Sequence, residues 1–545
     1  MVFKYLSLKR NKMYLGCVVK FYQKSFTFKF RDINFRVRLE KCLALFFLII
    51  GPIIHAQKPS VPAIDEFVNS IYDSISYIPS ISIGVVQNGK IVHQQAYGYR
   101  DISNKSLAET STQYYIASTT KSFTALAATI LEEKGMLDFQ KPLAAYFPKI
   151  NFPDSIQADK ITIPDLLGHT SGIDNCADMT FKLAYSGSYT YDELFAILTE
   201  TCSRGDYGAY RYSNFGYNLL NLIFIKELGK TWKQVVQEEI LNPFGMDKTF
   251  SSYTELLESR EHIATPYRAL GINGKDFFQI PDNIKRDDTM HAAGGLYSSV
   301  DDILKWLLLQ VNNGEINGKI AIPSKLLSKT RELRGEIEPD RFGLGKYNMS
   351  YGLGWNIAKF KDKMLYHHGG AFTGYSTLIS FMPENKAGVV VMVNDNQIGN
   401  GLSSLITQFI YDLMDQNIEQ DNPDWKNAYA VSVSNIKVES KEYGLDRMYQ
   451  DYSNRMKRTW DFSVPHKVIT GAYICQDGNR PMIRIFEIEG KLGVIQGNMN
   501  ASVEPYIYPN TIRVDMFGIG DMLKLEVDGN RVIGFTYKDN YFAKL

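Results

Sequence analysis

Residues 388–394 read Gly-Val-Val-Val-Met-Val-Asn. A short, uninterrupted apolar run of this kind is what a strand buried on both faces requires. Residues 364–368 and 375–382 read as strands before it, and Glu384-Asn-Lys-Ala387 supplies the last turn. A second set lies far upstream, where residues 81–87 and 90–97 flank Asn88-Gly89. Asn-Gly between apolar alternation signals a hairpin. Amphipathic spacing predicts helices over residues 59–78, 300–311 and 402–413, and an apolar helix over 216–228. An apolar content of 45% is ordinary for a chain with a full core, and a net charge of +1 argues against a nucleic-acid or polyanionic partner. The length of 545 residues suggests two or three domains.

The N-terminus is expected to be a leader. Residues 1–41 are rich in Lys, Arg and Phe and lead into an apolar run at 42–54. Arg36, Arg38 and Lys41 precede that run, and Ile54-His-Ala56 follows it. It is short for a membrane span and has the flanks of a secretory signal, so cleavage is expected near Ala56. The pre-segment is long for a signal, and a start inside it is one reading. An uncleaved anchor is the other, and would be the chain's one membrane contact. After the leader three cysteines remain, too few for a disulfide framework. Cys176 and Cys202 could pair in an oxidising compartment or stay as buried thiols. No Cys/His spacing resembles a zinc site.

Chemistry concentrates at Ser118-Thr-Thr-Lys121. Phe123, Leu126, Ala127, Ile130 and Leu131 recur at helical spacing behind it, and Gly135 is the expected stop. Residues three apart share a helix face, so hydroxyl and amine can be neighbours. Serine needs a base to become a nucleophile. Lysine can be that base once its neutral form is populated, which the positive end of a helix dipole favours. The spacing alone is weak, since Ser434-Asn-Ile-Lys437 fits it equally. His169, in Leu167-Gly-His-Thr-Ser-Gly172, reads as a structural residue tying down a turn.

Two further pieces follow Ser118 in order, Tyr212-Ser-Asn214 and His368-Gly-Gly370. With them the chain resembles the serine β-lactamase-like hydrolases, the superfamily of class C β-lactamases, D,D-carboxypeptidases and related esterases and aminopeptidases. The resemblance covers about residues 60–414. It extends to Tyr97-Gly-Tyr-Arg-Asp101, Gly294-Gly-Leu-Tyr-Ser298 and Tyr351-Gly-Leu-Gly-Trp355. It implies an α/β (α+β) fold: a five-stranded antiparallel sheet flanked by helices, with a helical subdomain. It also implies a metal-free and cofactor-free serine acyl-enzyme acting on a small-molecule or peptide amide or ester. Ser118 would be the nucleophile. Lys121 and Tyr212 would share proton transfer, either of them being the base, and Asn214 would bond substrate or Lys121. The backbone N–H groups of Ser118 and Ala371 would form the oxyanion hole, and Gly369 and Gly370 would let substrate backbone approach. His368 is chosen over His367 because Gly374 keeps the family's six-residue spacing. β-Lactamases usually carry Lys there, so His368 tilts the reading away from a dedicated β-lactamase. A penicillin-binding module that acylates without turnover, and a non-catalytic scaffold, stay open as alternatives.

Tyr452-Ser-Asn454 repeats the second motif, but after a polar linker signal at 415–427 that includes Pro423. From about residue 467 short strands alternate with the turns Glu489-Gly490, Pro509-Asn510 and Asp528-Gly529. This unit resembles a small lipocalin-like β domain. The expected organisation is a leader at 1–56, a hydrolase domain at 57–414, a linker or helical segment at 415–460 and a β domain at 461–545.

Overall fold

The computed structural model describes residues 61–187, 189–200, 202, 205–269, 277–279, 285–316, 318–337, 344, 347–415, 423–440, 458–477, 480–497, 499–515, 521–537 and 540–545. The leader, the cleavage site near Ala56 and Tyr452–Asn454 lie outside these residues.

The chain enters on helix α1 (Val61–Ser74) and runs through strands β1 (Ser80–Gln87), β2 (Lys90–Asp101) and β3 (Ser106–Leu107). Asn88 and Gly89 both take positive φ, as a tight hairpin turn needs. Helix α2 (Thr120–Glu133) follows a 3-10 turn at Ala117–Thr119 and stops at Gly135, whose φ is +69°. Short helices and α3 (Asn214–Leu228) build a helical subdomain before α4 (Val300–Val311) returns to the sheet. Strands β4 (Gly335–Glu336), β5 (Asn348–Tyr351), β6 (Asn356–Phe360), β7 (Lys363–Phe372), β8 (Tyr375–Met382) and β9 (Ala387–Val393) precede α5 (Gly399–Met414).

The sheet order is β4-β5-β6-β7-β8-β9-β1-β2-β3, and its ladders are antiparallel. The five longest strands, β7-β8-β9-β1-β2, are contiguous, and four shorter strands extend the expected five-stranded sheet to nine. β9 is buried along its whole length. Val389, Val391 and Val393 face α1 and α5, where Phe67 stacks on Phe409 at 4.0 Å. Val390 and Met392 face the core of α2 and α4, where Phe123 stacks on Trp306 at 4.1 Å. Each such aliphatic side chain contributes about 1.5–3 kcal/mol by burial, so β9 anchors both layers.

The segment expected as a linker or helix is helical from Pro423. Helix α6 (Pro423–Ser440) begins there, with proline at a helix start, where its missing N–H costs nothing. Ser434 is exposed on α6, and Lys437 donates to Ser74 O, so that pair serves packing.

The C-terminal strands β10 (Gly471–Cys475), β11 (Ile483–Ile488), β12 (Lys491–Gln496), β13 (Met499–Pro505), β14 (Thr511–Asp515), β15 (Asp521–Asp528), β16 (Arg531–Tyr537) and β17 (Asn540–Lys544) close into a barrel. Each strand pairs with its sequence neighbour and β17 returns to β10, the up-and-down closure lipocalins also have. Among the described residues, Phe181 of the helical subdomain is buried in its apolar core and Tyr185 packs against it.

Candidate active site

The nucleophile candidate sits on strained backbone. Ala117, just before Ser118, has φ +44°, a conformation that costs a non-glycine residue about 1 kcal/mol or more and clusters at functional sites. The surroundings hold it there. Ile116 N donates to Leu296 O at 3.0 Å, and Thr119 Oγ1 donates to Ile116 O at 2.8 Å. Ser118 is partly exposed, whereas Lys121, one helical turn on, is fully buried.

Lys121 Nζ has three partners. It lies 2.7 Å from Asn214 Oδ1, 2.7 Å from Ala293 O and 3.2 Å from Ser118 Oγ. The two nearer atoms can only accept. The third is a hydroxyl that can also donate. Burial pushes the lysine well below its ordinary range. A neutral amine fits this shell, with two N–H groups for the acceptors and a lone pair for the serine proton.

Tyr212 lies beside the same amine, with Nζ 4.8 Å from its ring centroid. Burial raises its hydroxyl above the usual range, partly offset by a hydrogen bond with Ser118. Asn175 pins this stretch from outside. Its side chain donates to Tyr212 O at 3.1 Å and accepts from Asn214 N at 2.6 Å. The neighbouring Cys176 is bonded to Cys202, which closes the question the sequence left open.

His368 projects from β7 toward Tyr212, ring to ring at 6.4 Å. Its Nδ1 lies 2.7 Å from Gly369 O, a pure acceptor, so Nδ1 carries the proton. Tyr351 Oη then donates to Nε2 at 2.9 Å. Burial pushes His368 down to about 3, so the ring is neutral at pH 7. His367 points the other way, to Asn348 Oδ1 at 2.7 Å. β7 pairs with β6 only as far as His367, so among the described residues no strand pairs with 368–372 on that side. Gly370 lies against the turn before Ser118, and a Cβ there would fall 2.0 Å from Ile116 O. Gly369 faces open space. Ala371 is exposed one residue further.

His169 ties a turn down. Its carbonyl accepts from Arg211 N at 2.7 Å and its Nδ1 from Ser213 N at 3.1 Å, fixing the approach to Tyr212. Sequence reasoning missed three participants: Ala293 through its carbonyl, Asn175, and Tyr351. The stretches holding Ala293 and Tyr351 border or contain quoted motifs, but nothing in them signals a partner.

An antiparallel sheet covered by helices on both faces, with serine, lysine and tyrosine converging beside one of its inner strands, is the arrangement of the penicillin-recognising fold. Residues 68–403 match the Beta-lactamase family, well over half of the chain, and the chain belongs to it. Protein flp of Staphylococcus aureus (strain NCTC 8325 / PS 47) is 27% identical over 324 residues, 59% of this chain and 60% of flp. The chain thus spans about 60% of that relative's length. The putative penicillin-binding protein PbpX of Bacillus subtilis (strain 168) is 26% identical over 332 residues, 61% of this chain and 74% of PbpX. In fold, the chain resembles the octameric penicillin-binding protein homologue from Pyrococcus abyssi. That match has a TM-score of 0.55 at 21% identity and covers 89% of this chain and 100% of the other. It also resembles a D-amino acid amidase from Ochrobactrum anthropi SV3, with a TM-score of 0.51 at 22% identity, covering 65% of this chain and 100% of the other.

Proposed function

We propose that the chain is a serine hydrolase that forms an acyl-enzyme on Ser118 and acts on an amide or ester. The observation that carries this is the three-partner shell of Lys121. With Asn214 Oδ1 and Ala293 O holding the amine's two protons, its lone pair takes the Ser118 proton as Oγ attacks the carbonyl. Lys121 is therefore the base. Tyr212, whose phenolate is disfavoured, relays the proton from Lys121 to the leaving group. The N–H groups of Ser118 and Ala371 receive the developing oxyanion, and losing one such donor typically costs about a hundredfold or more. Asn214 holds Lys121 in place. Gly369 offers room for substrate backbone. Neutral His368, anchored by Tyr351, shapes the leaving-group side without supplying a cation.

The test is active-site labelling with a fluorophosphonate and turnover of p-nitrophenyl esters, nitrocefin and D-amino-acid peptides, with Ser118→Ala alongside. Labelling at Ser118 and loss of turnover in Ser118→Ala are expected. Turnover that survives the substitution would sink the proposal. A stable adduct with a penicillin but no turnover would instead make the chain a penicillin-binding module, as the name of PbpX suggests for that relative.

The reading includes export, supported by the leader pattern and by the Cys176–Cys202 bond, which suits an oxidising compartment. Among the described residues no helix is long and apolar enough to cross a membrane. Mass spectrometry of the mature chain, expected to begin near Gln57, checks this.

A further inference from the structure

Beyond the oxyanion position, strand β7 runs into a second feature. Positions along it fall in line: His368 beside Tyr212, Gly370 against the turn that presents Ser118, and Phe372 at the far end. Tyr212 returns the proton to the leaving group, so the leaving group lies toward His368. The acyl portion then lies toward Phe372. There Phe372, Tyr375, Tyr297, Tyr253 and Pro266 line a cavity together with one cation, Lys285.

Lys285 is 3% exposed. Its Nζ donates to Ala184 O at 3.0 Å and Thr289 O at 3.3 Å, and it stands 3.9 Å from the Phe372 ring centroid and 4.9 Å from that of Tyr115. Among the described residues no carboxylate pairs with it. The two carbonyls use two of its three N–H groups. Burial pushes this lysine down to about 7, so it holds its charge only in part by itself. A buried amine with a free N–H at the wall of a cavity is a place where an incoming anion would complete the charge pair.

We propose that Lys285 selects the substrate by holding a carboxylate on its acyl portion. This rests on the reading of Ser118 as the nucleophile. One residue, Ala371, separates Gly370 from Phe372, so roughly 7 Å of strand runs between the two. An acyl chain lying along that strand spans it with the length of an adipoyl group. The third N–H of Lys285 serves the anion. The aromatic walls cover the methylenes between.

Binding is measured by isothermal titration on the full Ser118→Ala chain with two probes of equal length, adipic acid monoanilide and neutral hexananilide. The acid is expected to bind at least tenfold more tightly. In Ser118→Ala carrying Lys285→Met the ratio of the two affinities should fall to near one, and in Lys285→Arg part of it should return. Circular dichroism establishes that each variant is folded. Should Lys285→Met not fold, Lys285→Gln, which can still reach a carbonyl, carries the same expectation. Equal affinities in the parent, binding of neither probe, or a preference that survives loss of the lysine overturns the proposal. Because the readout is binding, its failure is separate from failure of the hydrolase reading, which shows as turnover surviving Ser118→Ala.

Discussion

Single residues carry the chemistry here because burial changes what they are. Lys121 would be a solvated cation on an open helix. With no solvent contact its neutral form is favoured, and two carbonyl-type oxygens at 2.7 Å orient the amine. Activity should therefore rise with pH along a limb set by Lys121, with an apparent pKa well below 10.5. Lys121→Arg should abolish that limb along with at least about a thousandfold of kcat/KM, because a guanidinium stays protonated. His368, pushed down to about 3, should add no limb between pH 5 and 9. A pH–rate profile from pH 5 to 10 on wild type and Lys121→Arg measures both. A limb that persists in Lys121→Arg would assign the base elsewhere.

Elements position those residues by close approach, and two neighbouring glycines separate the reasons. At Gly370 a methyl group would overlap Ile116 O, so Gly370→Ala must push β7 from the Ser118 turn. It should cost about 1–3 kcal/mol in stability and most of the activity. Gly369→Ala meets no atom within 4 Å and should melt like wild type while narrowing the cleft. Thermal melts and ester turnover on the pair decide this, and equal melting of the two would refute the overlap argument. The segment between Cys176 and Cys202 is held differently. Their bond closes a sequence separation of 26, which loop entropy values at about 3–4 kcal/mol. This segment carries Tyr185, stacked on Phe372, and Ala184, the acceptor of Lys285. Reduction should lower the melting temperature and expose the cleft to protease. Unchanged melting in dithiothreitol would show that the bond contributes little.

At the scale of the whole molecule the barrel and the catalytic layers share a seam. Phe181 is buried in the barrel core, Arg480 lies 5.6 Å from its ring, and Gly497 abuts Ser186. Acid response is also a property of the whole. His367 is pushed to about 4, His368 to about 3, and His169 and His291 well below the usual value, all first by burial. In the unfolded chain these rings titrate near pH 6.5. Their folded values are depressed, so their contribution is complete above about pH 6.5 and is lost as pH falls through about 4 toward 3. The urea midpoint should drop over that window, with proton uptake on unfolding. A flat profile from pH 7 to 4 would contradict neutral burial.

Much of this was legible beforehand. Period and turn chemistry marked α2, α4, α5, β1, β2, β8 and β9, because burial on one face or both leaves a local trace in the chain. Helix α6 left a weaker one: its apolar residues do not gather on one face, Val431 and Val438 being exposed while Val433 is buried, so its polar start read as a linker. The motifs named Ser118, Lys121, Tyr212, Asn214 and His368 in order. Nothing local could say that Ala293 O would complete the lysine's shell, that Tyr351 would fix the tautomer of His368, or that Lys285 would stand at the end of β7 with no carboxylate paired to it among the described residues. The sequence by itself determined the elements and the chemical types available to the site. The tertiary structure decided protonation and partners, because both depend on which distant groups exclude water from which atoms.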